Sequence, residues 1–310
     1  MADIDTTNPS TDPPGHSTTA ADIPPASPTQ TTTAAEPTSE IESILADLRP
    51  IAKFKARSHD TSKNVHIPLL QSHIKDAPEN GPAVVLLGDS MFERMTTTGE
   101  TPNFVAPWPS PAMLSDEILR FGGTDYKRID RVFNAGVGGD KIQNLVYRLV
   151  GASHPEDEDK NLPGLLPMLA ACGTVKLWAI HIGTNNLHPK HGLRDDDVEV
   201  LRKLVEALLK LNSAGRECQV VVSLLWPRKD ISGDLVGGAN SRVKGMVKQF
   251  KDRGFKGEVH LTNVEYCGGP PPGFNIEEHL DDHVHLNLEG YRLWMEFFYF
   301  MVAGVLGITG

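Results

Sequence analysis

Cysteine is scarce in this chain of 310 residues: three in all, Cys172, Cys218 and Cys267, set far apart. That spacing excludes a disulfide framework and a Cys-based zinc pattern, and makes a reducing compartment, the cytoplasm, the expected location. A surplus of basic residues is also missing. Lys and Arg total 30 against 40 Asp and Glu, for a formal charge of -10. Without a basic stripe the chain is a poor candidate for nucleic acid, whose binding rests on phosphate contacts, and for anionic membrane surfaces. Residues 1–5 hold two acids and no apolar run, unlike a secretory signal or an Arg-rich transit peptide. The longest apolar stretch, residues 293–308, is interrupted by Glu296 and falls short of the ~20 residues of a membrane span. It is expected to be a buried C-terminal helix, with no integral membrane segment in the chain. There is no internal repeat.

Hydrophobic residues make up 39%, a low figure that the first segment explains. Residues 1–38 are rich in Thr, Pro, Ser and Ala, with no apolar period to offset the entropy of ordering, and are expected to be a disordered tail. Residues 39–81 are expected to form a helical extension. Ser39 and Glu42 fit a capping box, and Ile41, Ile44, Leu45 and Leu48 follow at helical spacing. Residues 82–310 are expected to be the main domain, with the extension simply packed against it.

Within that domain, short continuous apolar runs recur at residues 83–87, 131–133, 175–182 and 219–225, with a weaker one at 258–262. Runs of this length suit strands buried on both faces of a parallel sheet. Helical patterns lie between them at 140–150, 195–211 and, more weakly, 237–250; Val198, Leu201, Val205, Leu208 and Leu209 share a face. The alternation predicts a three-layer α/β/α sandwich.

The unusual residues fall just after these strands. Ser90 ends Gly88-Asp89-Ser90. Glycines crowd Asn134-Ala-Gly-Val-Gly-Gly139-Asp140, and Asn185 sits in Gly183-Thr-Asn-Asn186. The carboxyl edge of an open α/β sheet is where ligands bind, so these distant residues are expected to converge. Each has a plainer reading: Ser90 as a helix N-cap, the glycines as a tight turn, Asn185 as a turn residue. The glycines match neither the full dinucleotide fingerprint nor a Walker loop with its Lys, so no cofactor is expected. Near the C-terminus, Asp282 precedes His285 by three residues. An acid so placed can bind one imidazole nitrogen and leave the other free as a base. Two alternatives stay open there: a metal site built from His279, His283 and His285, and a polar surface loop. Taken together, a nucleophile, a backbone donor, an amide donor and an Asp/His pair are the parts needed for acyl transfer.

These blocks, in this order, resemble those of the SGNH (GDSL-like) hydrolase superfamily. The stretches 84–91, 134–149 and Val222-Ser-Leu-Leu-Trp-Pro-Arg228 are most similar to the catalytic α subunits of intracellular platelet-activating factor acetylhydrolase. The resemblance spans roughly residues 82–304. It implies a five-stranded parallel sheet in flavodoxin-like order. It further implies Ser90 as nucleophile, Asp282 and His285 as its partners, and an oxyanion hole made by Ser90, Gly139 and Asn185. The expected activity is metal-free serine ester hydrolysis of a small-molecule substrate carrying an acetyl or other short acyl group. A carbohydrate acetylesterase and a non-catalytic binding protein of the same fold are the alternatives, and a homodimer stays open. The chain departs from the subfamily in two longer loops, 151–163 and 268–278, the second expected to reshape the substrate mouth. The segment before Pro82 has no counterpart there.

Overall fold

The computed structural model describes residues 37–308, apart from 76, 105–106, 124, 155, 212–217, 253–258 and 262–269. The expected tail up to residue 36, Cys267, and Glu258 and Thr262 of the weak fifth run lie outside the described residues.

The first helix, α1 (Pro37–Leu48), starts two residues before the expected cap. Ser39 therefore lies inside its first turn, and Pro37 holds the first helical position, where a missing N–H costs little. Next come α2 (Ala56–Thr61) and α3 (Ile67–Ile74), joined by a π-helical turn at Ser62–His66. Pro68 accounts for that turn: it cannot donate to the carbonyl four residues back, so the helix widens around it.

The main domain alternates strands and helices. Its elements are β1 (Val84–Gly88), the single turn α4 (Ser90–Glu93), β2 (Val132–Gly136), α5 (Ile142–Val150), α6 (Leu165–Cys172) and β3 (Leu177–His181). They continue with α7 (Asp195–Lys210), β4 (Gln219–Val222), α8 (Gly233–Asp252), β5 (Val259–Leu261), α9 (Ile276–His279) and α10 (Leu288–Val305). All strand pairs are parallel, in the order β2-β1-β3-β4-β5. Four strands of four or five residues form the body of the sheet, and the three-residue β5 pairs along β4 at its edge. Gly88 stands level with Gly136 of β2 and His181 of β3, so the three loops that follow leave the sheet side by side.

Strand side chains alternate between two cores. Val85, Leu87, Phe133, Trp178 and Val220 point to one face, beneath α5, α6, α7 and α8. Val84, Leu86, Leu177, Ala179 and Val221 point to the other, where Trp294, Phe298, Tyr299 and Val302 of α10 cover them. The apolar run near the C-terminus is thus a core helix. Among the described residues, no helix is long and apolar enough to cross a membrane.

The N-terminal extension does more than lie on the surface. Ile44, Leu45 and Leu48 of α1 belong to the same core cluster as Leu87 and Leu145. Leu48 is fully buried, so Leu48→Ala should cost about 2–5 kcal/mol, the usual price of deleting a core leucine. Chemical denaturation checks this; a change near zero would show α1 to be dispensable to the core.

Candidate active site

Ser90 opens α4 straight after β1, with Asp89 as N-cap: Asp89 Oδ1 accepts the Met91 amide at 3.0 Å. The N-cap is thus Asp89 and not Ser90, whose hydroxyl has another partner. That partner is His285, whose Nε2 lies 2.8 Å from Ser90 Oγ. Its Nδ1 lies 2.7 Å from Asp282 Oδ2.

The acid and imidazole come from one tight loop. Leu280 and Leu286 form an antiparallel bridge, and the Asp281 amide donates to the His285 carbonyl at 2.8 Å, folding the segment back on itself. Asp282 Oδ1 accepts the amides of Val284 (2.7 Å) and His285 (2.8 Å). Burial works against ionisation of Asp282, but these amides and the His285 ring outweigh it and hold the carboxyl well below the usual carboxylate range. Arg94 adds a cation: its Nη1 is 3.6 Å from Asp281 Oδ2 and 4.0 Å from Asp282 Oδ2. His283 is not part of this relay. Its carbonyl accepts the Lys229 amide, and its ring makes no hydrogen bond to the described residues.

Ser90, His285 and Gly139 line one cavity of about 340 Å³. Gly139 follows β2 with φ +76°, a backbone conformation that favours glycine, and a Cβ there would meet only the movable end of the Lys55 side chain. The amides of Ser90 and Gly139 donate to no acceptor among the described residues. Gly138, by contrast, donates to Glu93 Oε2 at 2.9 Å.

Asn185 lines an adjoining cleft of about 310 Å³. Its Nδ2 donates to the Asp140 carbonyl at 3.0 Å, which uses one of its two protons. The neighbouring Asn186 has a different task. Its Oδ1 accepts the first amide of α5, from Ile142, at 3.0 Å, and its Nδ2 donates to Asp197 at 2.7 Å. Arg228, from the Trp-Pro-Arg block, braces the same turn through the Thr184 carbonyl at 2.7 Å.

Among the described residues, no group of three or more His, Cys, Asp or Glu is arranged to hold an ion. His279 instead bonds Asn275 at 2.9 Å. Of the second long loop, residues 270–278 are described, and none of these lines either cleft. Phe274 packs on Trp226 and His279 instead.

The N-terminal extension, expected only to pack against the main domain, also contributes to the clefts through Lys53, Lys55 and Arg57. Lys55 donates to the Gly139 carbonyl and, at 3.5 Å, to that of Gly138. Arg57 pairs with Glu93 at 2.9 Å, and Ser58 donates to Asp140. No motif marks these residues, since isolated surface cations are common; only the path of the chain brings them here.

No family model matches the chain, and no curated protein matches it. Several solved structures are similar. One from Streptococcus pneumonia, assigned to platelet activating factor, is 16% identical, with 86% of this chain and 94% of that one covered and a TM-score of 0.45. A carbohydrate esterase family 3 protein from Talaromyces cellulolyticus is 16% identical, with 73% and 98% covered and a TM-score of 0.44. A GDSL-like lipase from Bacteroides thetaiotaomicron is 16% identical, with 71% and 87% covered and a TM-score of 0.43. Likenesses this distant leave the chemistry to the geometry of the site.

One titration follows from that geometry. Burial, reinforced by the nearby Asp140 carboxylate, pushes Asp89 up to about 7, against the opposing Met91 hydrogen bond. The folded state then binds this proton more tightly than the unfolded chain does. The stabilisation is full below the unfolded value near 4 and is lost as pH rises to about 7. Asp89→Asn retains a capping oxygen and removes the titration. Its melting temperature should therefore fall less between pH 4 and pH 7 than that of the parent protein. Parallel profiles would mean that Asp89 is ionised throughout.

Proposed function

We propose that this protein is a serine ester hydrolase of the SGNH type that removes acetyl or other short acyl groups. The observation that carries the proposal is the continuous relay from Ser90 Oγ through His285 to Asp282, with bonds of 2.8 and 2.7 Å. A relay of this geometry activates a hydroxyl that is otherwise a weak nucleophile.

The steps follow from the donors and acceptors present. Ser90 Oγ attacks the ester carbonyl while its proton passes to His285 Nε2. Asp282, held ionised, accepts from Nδ1 and stabilises the resulting imidazolium. Negative charge gathers on the carbonyl oxygen, facing the unused amides of Ser90 and Gly139 and the second Nδ2 proton of Asn185. Such donors are effective because they are already oriented before charge develops. The imidazolium then protonates the departing alcohol oxygen, leaving an acyl-Ser90 ester. Water, deprotonated by the same imidazole, releases the acid. No cofactor enters these steps.

A fluorophosphonate probe should label the protein at Ser90. Ser90→Ala and His285→Ala should lose both labelling and turnover of p-nitrophenyl acetate, whereas His283→Ala should retain them. Labelling that survives Ser90→Ala would sink the assignment, and a dead His283→Ala with a live His285→Ala would move the base. Asn185→Ala should lower kcat by about 10²–10³, the typical loss of one oxyanion donor. KM should change far less, since that bond forms mainly in the transition state. An effect confined to KM would make Asn185 a ground-state contact instead.

A further inference from the structure

The turn from Val137 to Asp140 is pinned through its peptides. In the peptide that joins Val137 to Gly138, the carbonyl accepts the Asp140 amide at 3.2 Å, and the amide donates to Glu93 Oε2 at 2.9 Å. In the peptide that joins Gly139 to Asp140, the amide is the donor of that same 3.2 Å bond, and the carbonyl accepts from Lys55. The peptide between them, from Gly138 to Gly139, is held differently. Its N–H is one of the donors proposed to face the oxyanion, and it has no acceptor among the described residues. Its carbonyl meets one donor among those residues, the Lys55 ammonium, at 3.5 Å.

A peptide flanked by two glycines is the easiest kind to rotate, because neither residue has a Cβ to resist. In a planar trans peptide the N–H and C=O point in opposite directions. Half a turn would therefore withdraw the Gly139 N–H from the reacting ester and present a carbonyl in its place. A cation at the carbonyl end opposes that rotation, since the turned peptide would aim its N–H at the ammonium. The same cation polarises the peptide and makes its N–H a stronger donor.

The N-terminal extension keeps the ammonium in place. The Lys53 amide donates to the Gln143 carbonyl at 3.0 Å, Asn144 Nδ2 donates to the Lys53 carbonyl at 2.9 Å, and Ser58 donates to Asp140. The chain on both sides of Lys55 is thus tied to Asp140 and the first turn of α5. Its side chain is half-buried and lines the cleft with Ser90 and His285. Arg57, two residues on, holds Glu93, the acceptor of the Gly138 amide, at 2.9 Å.

We propose that Lys55 is a positioning residue for the oxyanion hole, its ammonium holding the Gly138–Gly139 peptide so that the Gly139 N–H is available to the ester carbonyl. The inference rests on the hydrolase reading above. Lys55 acts here through the peptide and makes no bond to substrate, so its removal weakens the transition state and leaves ground-state binding nearly alone.

Turnover of p-nitrophenyl acetate, together with the structure of the fluorophosphonate adduct, tests this. Lys55→Met retains the length and apolar stem of the side chain and removes its charge and donors. Its kcat should fall by about tenfold or more, and by no more than about 10²–10³, the typical loss of one oxyanion donor. KM should change far less, and Lys55→Arg should recover most of the loss. In the adduct of the parent protein, the phosphonyl oxygen on Ser90 stands in for the oxyanion. It should accept from the Gly139 amide while Lys55 stays on the turn carbonyls. In crystals of Lys55→Met the Gly138–Gly139 peptide should be turned over or occupy two orientations. An unchanged kcat, a loss confined to KM, a Lys55→Arg variant no better than Lys55→Met, a peptide unmoved in Lys55→Met, or a Lys55 ammonium bonded to the phosphonyl oxygen would each overturn the inference while leaving the hydrolase intact. A parent protein that hydrolyses no ester and is not labelled at Ser90 would instead overturn the hydrolase reading and this inference with it.

Discussion

The buried ion pair between Arg148 and Asp140 is the constraint on which the site depends. Both side chains are wholly excluded from water, and their charged atoms meet at 2.8 Å. Removing two charges from water is expensive, and attraction alone repays it poorly unless the remaining donors and acceptors are also satisfied. Here the other guanidinium nitrogens reach the carbonyls of Ala135 at 2.8 Å and Gly88 at 3.3 Å, the ends of β2 and β1. Asp140 also accepts from Ser58 of the extension. One pair thereby ties two strand ends, α5 and the N-terminal helices together. Losing either partner would strand the other as an isolated buried charge, a defect that typically costs about 3–5 kcal/mol.

Position in the chain turns that anchor into a functional device. Asp140 directly follows Gly139, and its own carbonyl holds Asn185. The Arg148 carbonyl contact at Gly88 lies two residues before Ser90. Both amides and the side-chain amide that are proposed to face the oxyanion are thus set against the same rigid pair. From the opposite side, Tyr291 of α10 donates to the Met91 carbonyl at 2.8 Å and fixes the turn that carries Ser90. The loop of Asp282 and His285 immediately precedes that helix, so α10 positions the relay at both of its ends.

The strand runs, the helical faces and the α/β class were legible because they depend on local periodicity, which short stretches of chain express on their own. Edges blurred by up to four residues: the run at 219–225 ends as a strand at Val222, and the weak pattern at 237–250 lengthens into α8. The Asp282–His285 pairing was legible for the same local reason, since a three-residue separation lets a tight loop close. Asn186 shows the limit of that reading. It stands beside Asn185 in an identical residue type, and only the approach of α5 makes one a helix cap and leaves the other facing the cleft.

The sequence by itself determined which side chains are candidates for the proposed chemistry and which strands they follow, because serine, histidine, aspartate and glycine turns announce themselves through residue type and spacing. Tertiary structure alone decided what surrounds them. Lys55, Arg57 and Ser58 precede Ser90 by more than thirty positions and carry no pattern that distinguishes them from solvated surface residues. They come to the cleft because Ile44, Leu45 and Leu48 are drawn into the same core as β1 and α5. Hydrophobic burial has no direction of its own, so the charges that ride on such a helix are placed only when the whole core has closed.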